Sequence, residues 1–331
     1  MMILPTLLTA GLLGADLPAD PAAIRAALDK SLPLLTKGAD GHMANRTCFA
    51  CHNQGIPILA MATLRAGGRA IDDDAVAKNM KFINTFLDQN RANYLQGKGQ
   101  GGQADTAGYA LWTLELGGWR PNETTAAVAE FLLQHQRDLP AWRATSNRPP
   151  SEASPFTTSY LALRGLQTFG TADQRERVLQ RTRSVRAWLL KTPGKDTEDR
   201  VFRMWGLKIA GAHPLEVQRA AQELLQTQRP DGGWSQIDKL ESDAYGTGSA
   251  LVSLHEAAGL ATDSAAYQRG VRFLLKTQRD DGSWFVHSRS KPFQLYYESG
   301  FPHGPDQFIS IAASGWATAA LALAAPAQNS R

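Results

Sequence analysis

Two stretches fifty residues apart are nearly the same sequence. Leu224-Leu225-Gln226-Thr227-Gln228-Arg229-Pro230-Asp231-Gly232-Gly233-Trp234 aligns with Leu274-Leu275-Lys276-Thr277-Gln278-Arg279-Asp280-Asp281-Gly282-Ser283-Trp284. A degraded copy, Leu132-Leu133-Gln134-His135-Gln136-Arg137-Asp138-Leu139-Pro140-Ala141-Trp142, keeps the Gln-to-Trp spacing. Fainter traces sit at Trp188–Pro193 and Phe86–Gln89. Such self-similarity constrains a fold more than composition does. Each unit is one supersecondary element that buries its apolar face only by stacking against its neighbours.

Each copy ends an amphipathic segment, as in 123–136, 214–228 and 263–278, where apolar residues recur at three and four. These read as helices with one wet face. The Asp-Gly pair beyond suits a helix stop, because glycine takes the left-handed conformation at little cost. The Trp that follows is an apolar plug between helices. After each copy comes a helix rich in Ala, Gly and Leu on all sides: 106–116, 157–169, 198–212, 243–260 and 309–324. A helix apolar all round is a buried helix. An earlier pair, 21–35 then 55–66, completes six hairpins of one outer and one inner helix. The fold class is therefore all-α, with six hairpins closing into an (α/α)6 toroid. An open solenoid would need polar capping faces, and the last helix is apolar all round.

The two cysteines of the chain stand three apart in Thr47-Cys48-Phe49-Ala50-Cys51-His52. Cys-x-x-Cys-His is the attachment signature of c-type haem. Two thiols at this spacing reach the two vinyl groups on one porphyrin edge, and the adjacent imidazole swings under the ring to the iron. A thioredoxin-like reading wants a βαβ setting, and a zinc reading wants a second ligand pair that no cysteine remains to supply. The expected cofactor is one covalent haem c, with Cys48 and Cys51 as attachment points and His52 as an axial ligand, in a loop spanning residues 38–56.

Residues 1–15 are apolar, uncharged and end in small residues, resembling the apolar region of a secretory signal cleaved after Ala15. One toroid domain over 16–331 and a periplasmic or secreted location are expected. No other stretch reads as a membrane span. The formal net charge is +4, with Lys and Arg spread along the chain, so no nucleic-acid surface is indicated.

The Gln-x-x-Asp-Gly-(Gly/Ser)-Trp strings resemble the QW motifs of the terpene cyclase and prenyltransferase–squalene oxidase repeat superfamily. Within it the chain is similar to a bacterial squalene-cyclase-like group that carries an N-terminal Cys-x-x-Cys-His. The likeness includes Ser242-Asp243-Ala244-Tyr245 and the run Gly300-Phe301-Pro302-His303-Gly304 to Asp306-Gln307-Phe308-Ile309-Ser310. It implies the same toroid. Class II cyclases of the superfamily protonate an isoprenoid with an Asp-x-Asp-Asp acid at the start of an inner helix. Here the matching stretch is Gly102-Gln103-Ala104-Asp105-Thr106-Ala107, with Ala104 in the acid's place. Asp72-Asp73-Asp74 and Asp196-Thr197-Glu198-Asp199 precede helices and read as N-caps. Cyclase activity therefore does not transfer.

Ring closure would set the sixth outer-to-inner loop, 279–308, beside the haem loop. That loop is long for a compact domain. It contains His303, the leading candidate for the second iron ligand, and His287, the next. His42 and Met43 share the first loop with His52; Met61 and Met204 read as helix or core residues. Three functions stay open. One is electron transfer with an unidentified redox partner. Another is oxidation of an apolar, isoprenoid-like substrate in the ring's cavity. The last is an isoprenoid-binding or cyclase-like module without the acid triplet.

Overall fold

The computed structural model describes residues 18–292 and 294–326. The expected signal segment 1–15 lies outside the described residues. The outer helices are α1 Pro21–Asn45, α3 Asp73–Asp88, α6 Glu123–Gln134, α8 Arg175–Lys191, α10 Pro214–Leu225 and α12 Ala265–Thr277. The inner ones are α2 Ile56–Ala66, α5 Ala104–Leu116, α7 Pro155–Phe169, α9 Thr197–Ile209, α11 Ala244–Ala258 and α13 Gln307–Ala324. A short α4, Arg91–Leu95, adds one turn between α3 and α5. Among the described residues the only sheet is a pair of two-residue strands, Trp234–Ser235 against Ser242–Asp243.

Caps set the helix starts. Asp72 accepts from the Ala75 N–H, Asp196 from the Asp199 N–H and Asp243 from the Gly246 N–H. Each satisfies a donor that the first helical turn leaves unpaired. Asp72 and Asp196 are thus caps, as their positions predict, whereas Glu198 and Asp199 lie buried in the first turn of α9 and accept from Thr157 and Ser154 instead.

The repeat works as a set of bonds. Trp142, Trp234 and Trp284 are fully buried, and each indole donates to the carbonyl ten residues back, at Leu132, Leu224 and Leu274. Gln228 donates to the Gly232 carbonyl and also to the Ala266 carbonyl in the next outer helix. Gln278 repeats both bonds, to Gly282 and to Ala27 in α1. Gly232 and Gly282 share a φ of 89°, and a Cβ on either would lie 2.6 Å from the backbone oxygen of Arg269 or Lys30. The seam between the sixth pair and the first is therefore built like the seam before it. Thr318 of α13 also donates to Ser31 of α1. The helical hairpins close into a ring.

Inner helices approach closely at small residues. A Cβ on Gly108 would meet Leu161 of α7, and one on Gly315 would meet Ile56 of α2. Aromatic rings fill the middle. Trp112 of α5, Trp205 of α9 and Trp316 of α13 lie 5.7–6.4 Å apart by ring centroid. Alternate helices of a ring touch one another only near its axis, so the axis is filled by side chains. One helical stretch among the described residues, Gly304–Ala324, is long and apolar enough to cross a membrane, contrary to the sequence expectation. Most of it is buried here, as the sixth inner helix Gln307–Ala324 and the turn before it.

Candidate functional site

The first hairpin departs from its expected bounds. Helix α1 does not end near Leu35 but runs ten residues further, so the connecting loop is shorter than 38–56. Gly38 and Gly41 lie inside it because neighbours press against them. A Cβ on Gly41 would stand 1.8 Å from the Ser299 carbonyl oxygen, and one on Gly38 2.4 Å from Ile311. The chain turns extended at Arg46, and Cys51–Gly55 then form one wide π-helical turn ahead of α2. Such turns recur at functional sites. Gln54 holds this one by accepting from the Ala50 N–H and donating to Asn79, while Asn53 donates to the Gly38 carbonyl.

Cys48 is half-buried and Cys51 buried, and both thiols are free. Cys51 Sγ stands 3.7 Å from His52 Nδ1 and donates to Glu152 Oε1 at 2.8 Å. Burial, with the Glu152 charge beside it, pushes the Cys51 thiol well up. Burial pulls the His52 imidazole down to about 3, with His42 and Arg148 adding to the effect, so the ring is neutral. Glu152 is placed by a tight turn in which Arg148 and Glu152 exchange backbone bonds, and its carboxylate pairs with the Arg148 guanidinium.

Cys48, Cys51 and His52 line one cavity of about 480 Å³ at the mouth of the ring. His42, Arg148 and Glu152 share its wall, with Gln100–Gly102 and Thr106 from the second hairpin. A second cavity of about 420 Å³ borders His52 from the segment 288–308. Its walls include Pro292, Leu295, Tyr297 and Phe308, and the Phe308 ring sits edge-on to His52 at 5.2 Å. The sixth loop does reach the first, as ring closure implies: Asn45 donates to the Glu298 carbonyl and Arg46 to that of Leu295.

The residue that arrives there is Tyr297, not His303. His303 lines neither cavity. Its Nε2 lies 2.8 Å from Ser283 Oγ, and that hydroxyl already donates to Asp281, so the imidazole is the donor. His303 packs near Phe285 and Phe301. His287 is exposed and contacts Asp306. Met61 and Met204 are core residues. His42, in the last turn of α1, is the imidazole that joins His52 on a cavity wall. Asp105 is buried, accepting from Thr158 and from the Thr145 N–H, and burial lifts its carboxyl to about 6.

Glu152 and Tyr297 are the site residues that the sequence reading missed, and His42, weighed there only as an iron ligand, is bonded at both ring nitrogens. Their partners lie 101 and 255 residues away, and no local spacing marks such pairs.

Comparison with known proteins agrees with the ring. Residues 161–331, just over half the chain, match the family profile of the squalene-hopene cyclase C-terminal domain. The type II terpene cyclase MstE from Scytonema superposes with a TM-score of 0.60 at 15% identity, covering 94% of this chain and 100% of that one. A variant of that cyclase holding geranylgeranyl dihydroxybenzoate gives 0.59 at 14%, covering 93% and 99%. A protein from Actinoplanes gives 0.59 at 15%, covering 92% and 100%. At these identities the likeness is one of fold. No curated relative matches significantly.

Proposed function

From a chain that belongs to the squalene-hopene cyclase C-terminal domain family, we propose a toroid that serves as scaffold for one covalent haem c, exported and working in redox chemistry. The observation that carries this reading is the shared wall of one cavity. Cys48, Cys51 and His52 all face about 480 Å³ of space, with both thiols free and the imidazole neutral. That donor set suits the group: two thiols for thioether bonds and one nitrogen lone pair for iron. The volume lies in the range of small-molecule and cofactor sites. Bound there, the haem would supply one-electron chemistry at its iron. The chain's own part is to orient His52 through the π turn, to hold the free Cys51 thiol against Glu152 before attachment, and to limit water through the buried wall. His303, expected opposite His52, joins this reading only by leaving Ser283. The redox partner is unidentified.

The cavity on the Phe308 side favours a second reading, binding or oxidation of an apolar small molecule next to His52. That cavity lies beside the ring's mouth, since aromatic rings fill the axis. A cyclase reading has the fold in its favour, but Ala104 stands where the acid would be. Function does not follow from fold alone.

Production with a c-type maturation system tests the haem. The wild type should keep haem stain after denaturing electrophoresis, and Cys48→Ala with Cys51→Ala should lose it. An unstained wild type would refute the reading. Incubation with squalene should give no cyclised product. A product that vanishes in Asp105→Asn would restore the cyclase reading.

A further inference from the structure

The imidazole of His42 is bonded at both ends. Nε2 lies 2.6 Å from the Cys48 carbonyl oxygen and Nδ1 lies 2.6 Å from the Tyr297 hydroxyl. A carbonyl oxygen can only accept, so Nε2 carries the proton. Nδ1 then has its lone pair toward Tyr297, whose O–H donates. Burial lowers the pKa of the imidazole, and in the neutral ring these two bonds fix the tautomer and leave no lone pair of His42 for a metal. The ring is 1% exposed and shares a cavity wall with the two cysteines and His52. It is a neutral group between the thiol loop and the segment that arrives from the far end of the chain.

We infer that His42 is a positioning residue, a latch that fixes the Cys48 carbonyl and ties the Cys48–His52 loop to Tyr297. The physical need is plain. Residues 46–50 run between α1 and the π turn with a bend at Thr47–Cys48 and no helix of their own to hold them. Cys51 and His52 are fixed by the π turn, by Glu152 and by Phe308. Among the described residues the Cys48 side chain makes no hydrogen bond, and it is the Cys48 carbonyl that meets His42. Two thiols must present at a fixed separation to react with one porphyrin edge, so the latch sets the position of the otherwise loose one. The purpose rests on the haem reading; the latch itself rests on the two bonds.

The test has two arms. In the haem-free full chain, a pulse of iodoacetamide followed by peptide mapping reads how readily Cys48 is exposed. His42→Phe should raise Cys48 labelling about tenfold, the equilibrium share released by losing one such bond pair. His42→Gln, which can still donate to the Cys48 carbonyl, should stay within about twofold of wild type. Equal labelling in all three chains overturns the latch. In the haem-loaded protein, His42→Phe should lower haem per chain several-fold while leaving the spin state of the attached haem unchanged, and His42→Gln should restore the yield. A change to high-spin bands in His42→Phe overturns the inference, because it would make His42 an iron ligand. A wild type that attaches no haem rejects the haem reading, and the labelling arm still decides the latch. Should His42→Phe lose its helical circular dichroism, Tyr297→Phe replaces it, with a smaller rise in Cys48 labelling expected and no rise contradicting the latch.

Discussion

The Cys51 thiol donates to the Glu152 carboxylate at 2.8 Å, and the two residues are 101 apart in sequence. Both are buried, and the acid's charge opposes ionisation of the thiol. Glu152→Gln removes that charge while keeping an acceptor oxygen. The Cys51 pKa should therefore fall, because the charge that opposes its ionisation is gone. Thiolate absorbance against pH, recorded in a Cys48→Ser background, measures it. An unchanged or higher pKa would contradict the pairing.

The ring seam makes a matched pair of predictions. Gln228 and Gln278 make the same two bonds, one of each reaching the next outer helix. Replacing either by Ala removes both bonds and should cost about 1–3 kcal/mol. Urea unfolding should return similar losses for both. A loss at Gln228 with none at Gln278 would mean that the ring is open in solution. Trp284→Ala should cost more, about 3–5 kcal/mol, because it empties a buried site at that seam.

Asp105 predicts a pH dependence. Its folded carboxyl titrates near 6, raised by burial, against 3.8 for an ordinary aspartate. Between those values the folded chain holds a proton that the unfolded chain has lost. The group's contribution is thus fully present below pH 3.8 and is lost as pH rises through 6. Asp105→Asn stays uncharged throughout. Its stability relative to wild type should therefore rise by on the order of 3 kcal/mol from pH 3.8 to pH 7. A difference that is flat with pH would place Asp105 in a wetter setting than the structure has it.

His303 predicts a spectrum. Its Nε2 proton is committed to Ser283. His303→Ala should leave the haem bands and carbon monoxide binding unchanged, with a stability loss of about 1 kcal/mol for the missing bond. A shift from low to high spin would show that the imidazole leaves Ser283 for the iron.

The ring was legible in the sequence because its bonds are local. Each Trp reaches back ten residues and each Gln forward four, so the motif repeats as text wherever the geometry repeats. The length of α1 was not legible. Gly38 and Gly41 look like stops, yet they are there because Ser299 and Ile311, more than 250 residues later, leave no room for a Cβ. The meeting of the sixth loop with the first followed from ring closure. Which residue of that loop arrives depends on tertiary packing, and it is Tyr297 that reaches His42.

The most direct measurement is the intact mass of the purified, maturation-loaded chain, followed by mapping of the haem-bearing peptide. Each chain should gain one haem that survives denaturation and maps to Cys48 and Cys51, and a chain with both cysteines replaced by alanine should gain no mass. A wild-type chain at its bare polypeptide mass, with both thiols free to alkylate after denaturation, would contradict the haem reading.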